Sequence, residues 1–355
     1  MQNIIIATSG AGGHLFCGIS IAETLRERSK DIKTFFVGSV NNLAKKNVVD
    51  KGFIYRSVFS AGFVNKGFFG LVKFVFGQAI SFLHSFVIFV LIRPRVIFST
   101  GGFSSMGIVF WGKIFRVPCV VHEQNSVPGK ANRIAAKFSD LVLVSFKDTI
   151  KFFEGKKCVV SGMPTRRFVK IPPNEAKQRL SLAKDLFTVL VMGGSKGAHG
   201  INKIILSILG KFPKNTQFIH LSGKEDEMKL IEGYSRAGIN AYVRDFTSEM
   251  DVVYSAADAV ICRAGSGTLA EVALFGLPAI LIPYPYSMDR HQYTNAEFIE
   301  AEGAGVVMPE ENMDENKLLE LLNDKNKLEE MSLRSAKLGK NNAAEKITNE
   351  ILKYF

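Results

Sequence analysis

Two glycine-rich turns each follow a short β-branched run in this 355-residue chain. One is Ile4-Ile5-Ile6-Ala7-Thr8-Ser9-Gly10-Ala11-Gly12-Gly13-His14, the other Thr188-Val189-Leu190-Val191-Met192-Gly193-Gly194-Ser195-Lys196-Gly197-Ala198. A strand that ends in glycines and opens into a helix brings free backbone N–H groups and the positive end of a helix dipole against a phosphate. Neither turn has the glycine spacing of a dinucleotide fingerprint or the Gly-Lys-Ser/Thr of a Walker A loop, which counts against dehydrogenase and kinase chemistry. The competing reading is that the glycines only permit tight strand-to-helix packing. A third constellation is sharper: strand Ala259-Val260-Ile261-Cys262, turn Arg263-Ala264-Gly265-Ser266-Gly267, helix Thr268-Leu269-Ala270-Glu271-Val272-Ala273. Its N-terminal amides and the Ser266 and Thr268 hydroxyls suit a diphosphate, and Glu271 suits the two hydroxyls of a ribose. The same residues also fit ordinary capping, with Ser266 or Thr268 as the cap. Further on, Tyr284-Pro285-Tyr286-Ser287-Met288-Asp289-Arg290-His291-Gln292 is a polar loop entering a helix, suited to sugar hydroxyls or simply to the surface.

The elements around these residues alternate strand and helix. Strands are expected near 4–7, 33–38, 96–99, 118–122, 141–146 and 158–161, then near 188–192, 216–221, 240–243, 258–262, 278–282 and 305–308. That alternation predicts an α/β protein of two Rossmann-like, doubly wound domains with parallel sheets covered on both faces. The boundary falls at Gly162-Met163-Pro164, giving domains 1–162 and 163–340. Residues 341–355 read as an amphipathic helix with Ala344, Ile347 and Ile351 aligned, whose position suggests a late return to the first domain.

Composition bounds the function. Cys17, Cys119, Cys158 and Cys262 stand far apart, which predicts neither a disulfide framework nor a zinc site and fits a reducing cytoplasm. A strand beginning at the fourth residue leaves no room for a secretory signal. Net charge is +12, and its distribution is uneven: 21 Lys and Arg stand against 8 Asp and Glu up to Gly162, and 24 against 25 after it. No acidic residue occurs between Asp50 and Glu123, so the first domain should attract an anionic partner.

Inside that acid-free stretch the segment Leu71 to Ile92 approaches transmembrane length. Lys73, Gln78 and His84 interrupt it and Pro94 stops it. A span would also separate the strand at 96–99 from its sheet. The reading favoured by the residues is a helix pair. The later part would be buried in the domain, and the earlier part, with Phe68, Phe69, Leu71, Val72, Phe74, Val75 and Phe76, would lie in a bilayer interface with Lys66 and Lys73 beside headgroups. A wholly buried helix is the alternative. Nucleic acid is disfavoured because stacking aromatics would stand among strands.

Taken together the motifs resemble a known family. Gly10-Ala11-Gly12-Gly13-His14, His122-Glu123-Gln124-Asn125, Gly162-Met163-Pro164-Thr165-Arg166, Gly193-Gly194-Ser195-Lys196-Gly197-Ala198, Cys262-Arg263-Ala264-Gly265 to Glu271, and Asp289-Arg290-His291-Gln292 are similar, in order and spacing, to those of the bacterial transferases that add N-acetylglucosamine to undecaprenyl-pyrophosphoryl-N-acetylmuramyl-pentapeptide in peptidoglycan synthesis. The resemblance implies the GT-B glycosyltransferase fold, two domains facing across a cleft, with UDP-N-acetylglucosamine as donor substrate, no required cofactor and no metal. It places the UDP-sugar on the second domain, with Arg166, Ser195, Arg263, Ser266, Gly267, Thr268, Leu269 and Ala270 around the diphosphate turn, Glu271 on the ribose, Gln292 on the sugar and Thr247 at the uracil. Ala11, Gly12, Gly13 and Asn125 would line the cleft on the acceptor side. Ala11 departs from the family's common threonine, Met163 from its asparagine, Lys196 from its glutamine, Gly267 from a larger apolar residue and Thr247 from a bulkier aliphatic one. The implied partners are the undecaprenyl-linked acceptor, an anionic membrane surface at the cytoplasmic face, and other cell-wall synthesis proteins.

The implied reaction is a direct displacement in which the acceptor's C4 hydroxyl attacks the anomeric carbon opposite UDP. UDP leaves without a proton donor, so the hydroxyl's proton is the one that needs an acceptor. His14 is the candidate base, with a role in capping or orienting as the competing reading, and His122 and Glu123 are secondary candidates. Another nucleotide-sugar GT-B enzyme, a UDP-sugar epimerase and a non-catalytic lipid-binding scaffold are the alternatives; product analysis and UDP release separate them.

Overall fold

Ile4, Ile5, Ile6 and Ala7 are wholly buried at the centre of the first sheet, as a strand covered on both faces requires. The computed structural model describes residues 2–9, 12–59, 67–194, 197–339 and 342–355, with the backbone but not the side chains of 67–75. The chain divides into two units, Met1–Arg166 with Asn342–Phe355, and Arg167–Asn341.

The first unit runs β1 (Gln2–Thr8), α1 (Gly13–Arg28), β2 (Ile32–Ser39), α2 (Asn42–Val49), β3 (Ile54–Val58), α3 (Gly67–Ile92), β4 (Val96–Ser99), α4 (Phe103–Ile114), β5 (Cys119–Glu123), α5 (Lys130–Phe138), β6 (Leu141–Val144) and β7 (Cys158–Val160). Its seven strands are parallel in the order β3-β2-β1-β4-β5-β6-β7. The winding reverses between β1 and β4, which pair from Ile4 with Val96 to Ala7 with Ser99. In a doubly wound sheet, ligands gather at that reversal, outside the carboxyl ends of the strands.

The second unit repeats the plan: α6 (Pro173–Arg179), β8 (Phe187–Met192), α7 (His199–Ile208), β9 (Thr216–Leu221), α8 (Glu227–Ala237), β10 (Ala241–Arg244), α9 (Met250–Ala256), β11 (Ala259–Cys262), α10 (Ser266–Phe275), β12 (Ala279–Leu281), α11 (His291–Ala301), β13 (Gly305–Val307), α12 (Glu315–Asn323) and α13 (Lys325–Gly339). Its six parallel strands follow the order β10-β9-β8-β11-β12-β13, and the reversal lies between β8 and β11, where Val189 pairs with Ala259 and Met192 with Cys262. Finally α14 (Ala343–Leu352) packs against α1 in the first unit. Ile347 and Ile351 are fully buried there, each stabilising the contact by about 1.5–3 kcal/mol.

Two expectations need correction. The edge strand β3, Ile54-Tyr55-Arg56-Ser57-Val58, was not foreseen, because its polar Arg and Ser give it no continuous apolar run. The expected helix pair is one continuous helix, α3, and its later part is buried on one face only. Small residues decide which face. Ser81 and Ser85 are buried, and a Cβ at Gly107 on α4 would stand 2.6 Å from the Ser85 Oγ. The Trp111 indole N–H donates to the Phe82 carbonyl oxygen at 2.9 Å. The opposite face leaves Phe76, Ile80, Leu83, Val87, Val90 and Leu91 exposed, joined at the end of α4 by Ile114 and Phe115. Phe89 stacks on Phe115 with ring centroids 5.3 Å apart. Among the described residues no helix is long and apolar enough to cross a membrane.

Candidate functional site

At the first reversal, β1 and β4 both end in glycine turns that lead into α1 and α4. Gly12 precedes α1 at φ +64° and Gly102 precedes α4 at φ +89°. A Cβ on Gly102 would fall 2.2 Å from the Ser9 Cβ, so only glycine lets the two turns approach. Among the described residues a Cβ at Gly12 would meet nothing within 4 Å. Among them, too, no side chain caps α1, so His14 is not its cap.

His14, partly buried in the first turn of α1, has its Nδ1 2.5 Å from the Thr100 carbonyl oxygen. A carbonyl only accepts, so Nδ1 carries the proton and Nε2 is left with its lone pair. Burial pulls the imidazole below its ordinary pKa, while hydrogen bonds to Thr100 and Gln124 push the other way. The ring is therefore neutral near pH 7 and fixed in the tautomer a base requires.

His122 and Glu123 are committed to the chain itself. His122 is fully buried at the end of β5; its Nε2–H donates to the Gly162 carbonyl at 3.1 Å, and its Nδ1 accepts from the Gln124 amide at 3.2 Å. Burial first, with nearby His14 also lowering, takes its pKa down to about 4 against the opposing bond to Gly162. The Gln124 amide also donates to Thr100 O at 2.8 Å, so it ties both histidines to one carbonyl. Glu123 accepts four bonds: from the Asn125 N–H at 2.9 Å and its amide at 3.3 Å on one oxygen, and from the Gly129 N–H at 3.2 Å and the Asn132 amide at 2.8 Å on the other. Its burial raises the carboxyl pKa and those four donors draw it back down. Glu123 braces the loop that carries Asn125. Gly13 is exposed, and the Arg166 guanidinium lies over the Phe16 ring at 4.8 Å. Ala11 lies outside the described residues, as do Ser195 and Lys66.

At the second reversal the ends of β8 and β11 carry the other two turns. Gly197, at φ +75°, sits so close to β9 that a Cβ would fall 2.3 Å from the Ser222 carbonyl oxygen. Gly265 is the N-cap of α10 and no side chain among the described residues caps that helix; capping by Ser266 or Thr268 is therefore excluded. Ser266, Leu269 and Glu271 are buried, while Gly267, Thr268 and Ala270 are partly exposed. The Tyr254 hydroxyl donates to Glu271 Oε2 at 2.9 Å.

Arg263 is held inside. It donates to the Ile282 and Pro283 carbonyl oxygens, both at 3.1 Å, and pairs with Glu310 at 2.5 Å. The Glu310 carboxylate reaches the start of α7 because Gly200 has no side chain; a Cβ there would fall 1.8 Å from Glu310 Oε1. The Gln292 carbonyl oxygen accepts the Tyr284 N–H at 2.9 Å, which leaves its amide N–H groups as donors for a ligand. Thr247 follows β10, its hydroxyl accepting the Glu249 N–H at 3.1 Å. Sequence reasoning missed Thr100, Tyr254 and Glu310 as partners. The strand-then-glycine pattern of Thr100-Gly101-Gly102 is legible in the sequence, but it does not mark the Thr100 carbonyl as the partner of His14. Of the expected membrane residues, Phe76 is 68% exposed; the side chains of Phe68, Phe69, Leu71, Val72, Lys73, Phe74 and Val75 are outside those described. Among the described residues no group of three or more His, Cys, Asp and Glu is arranged to hold a metal ion.

Comparison with known proteins gives concordant results. Residues 4–144 match the glycosyltransferase family 28 N-terminal domain and residues 188–347 its C-terminal domain. A UDP-N-acetylglucosamine--N-acetylmuramyl-(pentapeptide) pyrophosphoryl-undecaprenol N-acetylglucosamine transferase of Myxococcus xanthus is 33% identical over 98% of this chain and 92% of its own. The protein of the same name from Syntrophus aciditrophicus is 35% identical, covering 98% of each. The crystal structure of Acinetobacter baumannii MurG superposes with a TM-score of 0.79 over 99% of this chain and all of that one, at 22% identity. The two parallel-sheet units thus have GT-B architecture, and the chain belongs to the family of UDP-N-acetylglucosamine--N-acetylmuramyl-(pentapeptide) pyrophosphoryl-undecaprenol N-acetylglucosamine transferases.

Proposed function

We infer that this chain is a UDP-N-acetylglucosamine-dependent transferase that moves N-acetylglucosamine to the C4 hydroxyl of undecaprenyl-pyrophosphoryl-N-acetylmuramyl-pentapeptide. The observation that carries the reading is the one-third identity with the transferases of that name along almost the whole chain. The second unit takes the donor. Its diphosphate meets the start of α10, with Ser195, Ser266, Gly267, Thr268, Leu269 and Ala270 as its contacts, while Glu271 accepts from the ribose hydroxyls. Gln292 donates its amide to the sugar, and the backbone at Thr247 reads the uracil. Arg263 acts by holding the turn that carries these groups, through its bonds to Ile282, Pro283 and Glu310.

The first unit takes the acceptor, with Ala11, Gly12, Gly13 and Asn125 along it. Attack of the C4 oxygen on the anomeric carbon breaks the bond to UDP and inverts the centre, and the hydroxyl proton passes to His14 Nε2. Helix dipoles and N–H groups stabilise the charge that collects on UDP. The unit binds the cytoplasmic face of an anionic membrane through the apolar side of α3 and the end of α4, flanked by exposed Arg93, Arg95, Lys113 and Arg116.

The test is transfer of label from UDP-N-acetylglucosamine to the muramyl-pentapeptide lipid or a short-chain analogue, with UDP-hexoses and UDP-N-acetylgalactosamine as competitors. Selective transfer is expected. UDP binding without any labelled lipid would overturn the acceptor assignment and leave the donor site standing.

A further inference from the structure

Tyr254 is a buried group that the reaction does not use. It lies on α9, and its ring stacks on Phe275 with centroids 5.1 Å apart and meets Phe168 edge-on at 5.9 Å. At 2% exposure it is among the largest fully enclosed side chains of the second unit. The aromatic packing fixes the ring, and the ring carries its hydroxyl to the Glu271 carboxylate, 2.9 Å from Oε2. A carboxylate only accepts, so the tyrosine donates. The terminal torsion of a glutamate is intrinsically broad and close to two-fold, and this bond anchors one of the two carboxylate oxygens against the ring.

We propose that Tyr254 is a positioning residue for ribose recognition: it holds the Glu271 carboxylate in the one orientation that accepts both ribose hydroxyls of the nucleotide donor. The proposal rests on Glu271 being the ribose contact. Tyr254 itself touches no substrate. Its effect passes through Glu271 and is confined to donors that carry the hydroxyls.

The experiment compares the full-length wild-type chain with Tyr254→Phe, using UDP-N-acetylglucosamine and its 2′-deoxyribose analogue as donors and a short-chain lipid acceptor. Phenylalanine keeps both ring contacts, and thermal unfolding checks the fold. Wild type is expected to prefer the natural donor by roughly tenfold or more in kcat/KM, the effect of a hydrogen bond to a charged group. In Tyr254→Phe the KM for the natural donor rises roughly tenfold with kcat nearly unchanged, and the KM for the deoxy donor barely moves. The preference therefore collapses. Equal weakening of both donors, or an intact preference, overturns the proposal. Glu271→Gln runs in parallel: if it too retains the full preference, the ribose reading fails and the proposal falls with it. If Glu271→Gln loses the preference while Tyr254→Phe keeps it, the ribose reading stands and only the positioning role is refuted. Should Tyr254→Phe not fold, Glu271→Asp keeps the charge but withdraws it from the hydroxyl. Collapse of the preference is again expected, and its retention again overturns the proposal.

Discussion

Replacing His14 with asparagine separates orientation from proton transfer. The asparagine amide N–H lies where the histidine Nδ1–H lies and can donate to the Thr100 carbonyl, now reached at 2.5 Å, but nothing replaces the Nε2 lone pair. If that lone pair takes the acceptor's proton, kcat falls by roughly 10²–10⁴-fold, about 3–5 kcal/mol of barrier, with little change in KM for either substrate. The pH profile supplies a second, independent reading. Burial favours neutral His14 and lowers its pKa below the ordinary 6.5, so kcat/KM in the wild type is flat at neutrality and falls only in acid below that value. The assay is initial-rate transfer from labelled UDP-N-acetylglucosamine between pH 5 and 8. A His14→Asn variant that keeps its kcat within about tenfold, or that retains the wild-type acid limb, refutes the base assignment.

Two buried histidines make the fold acid-sensitive. Burial lowers His122 to about 4 and His220 to about 3, whereas both protonate near 6.5 when unfolded. Their neutral forms therefore favour the folded state fully above pH 6.5, and that advantage shrinks as the pH falls towards those values, by on the order of 3 kcal/mol for His122; a melting temperature constant from pH 7 to pH 4.5 contradicts this. Glu310→Gln strands the buried Arg263 guanidinium beside a neutral amide. A loss of about 2 kcal/mol, allowing for the partial exposure of Glu310, lowers the melting temperature by roughly 4–8 °C, and calorimetry showing no shift refutes the clamp. Leu83→Glu with Leu91→Glu, both on the exposed side of α3, is expected to cut partition onto anionic vesicles by roughly a hundredfold. Wild-type binding should weaken with salt, and equal binding to neutral vesicles at high salt contradicts the electrostatic part.

The strands around both reversals were legible because buried parallel strands leave unbroken apolar runs such as Ile4 to Ala7 and Val189 to Met192. β3 was not, since an edge strand buried on one side tolerates Arg56 and Ser57. In α3 the apolar residues surround the helix, and periodicity cannot choose a buried face from such a pattern. The choice was written in what is missing, the small side chains at Ser81, Ser85 and Gly107. The glycine turns and Glu271 were visible as local patterns. Glu310 was not, because its partner Arg263 lies 47 positions away and nothing in the intervening chain marks the pair. The tautomer of His14 depends on a carbonyl 86 positions distant, which no local spacing reveals.

The return of α14 to the first unit has a consequence during biosynthesis. The side of α1 against which α14 packs stays uncovered while the ribosome makes Arg167–Asn341, the whole of the second unit. At ordinary elongation speeds that interval is roughly ten to thirty-five seconds. The second unit can close as soon as its own strands have emerged, while the earlier one waits with apolar surface facing water. The half made first is finished last, and in that interval a holdase chaperone would find its target on α1.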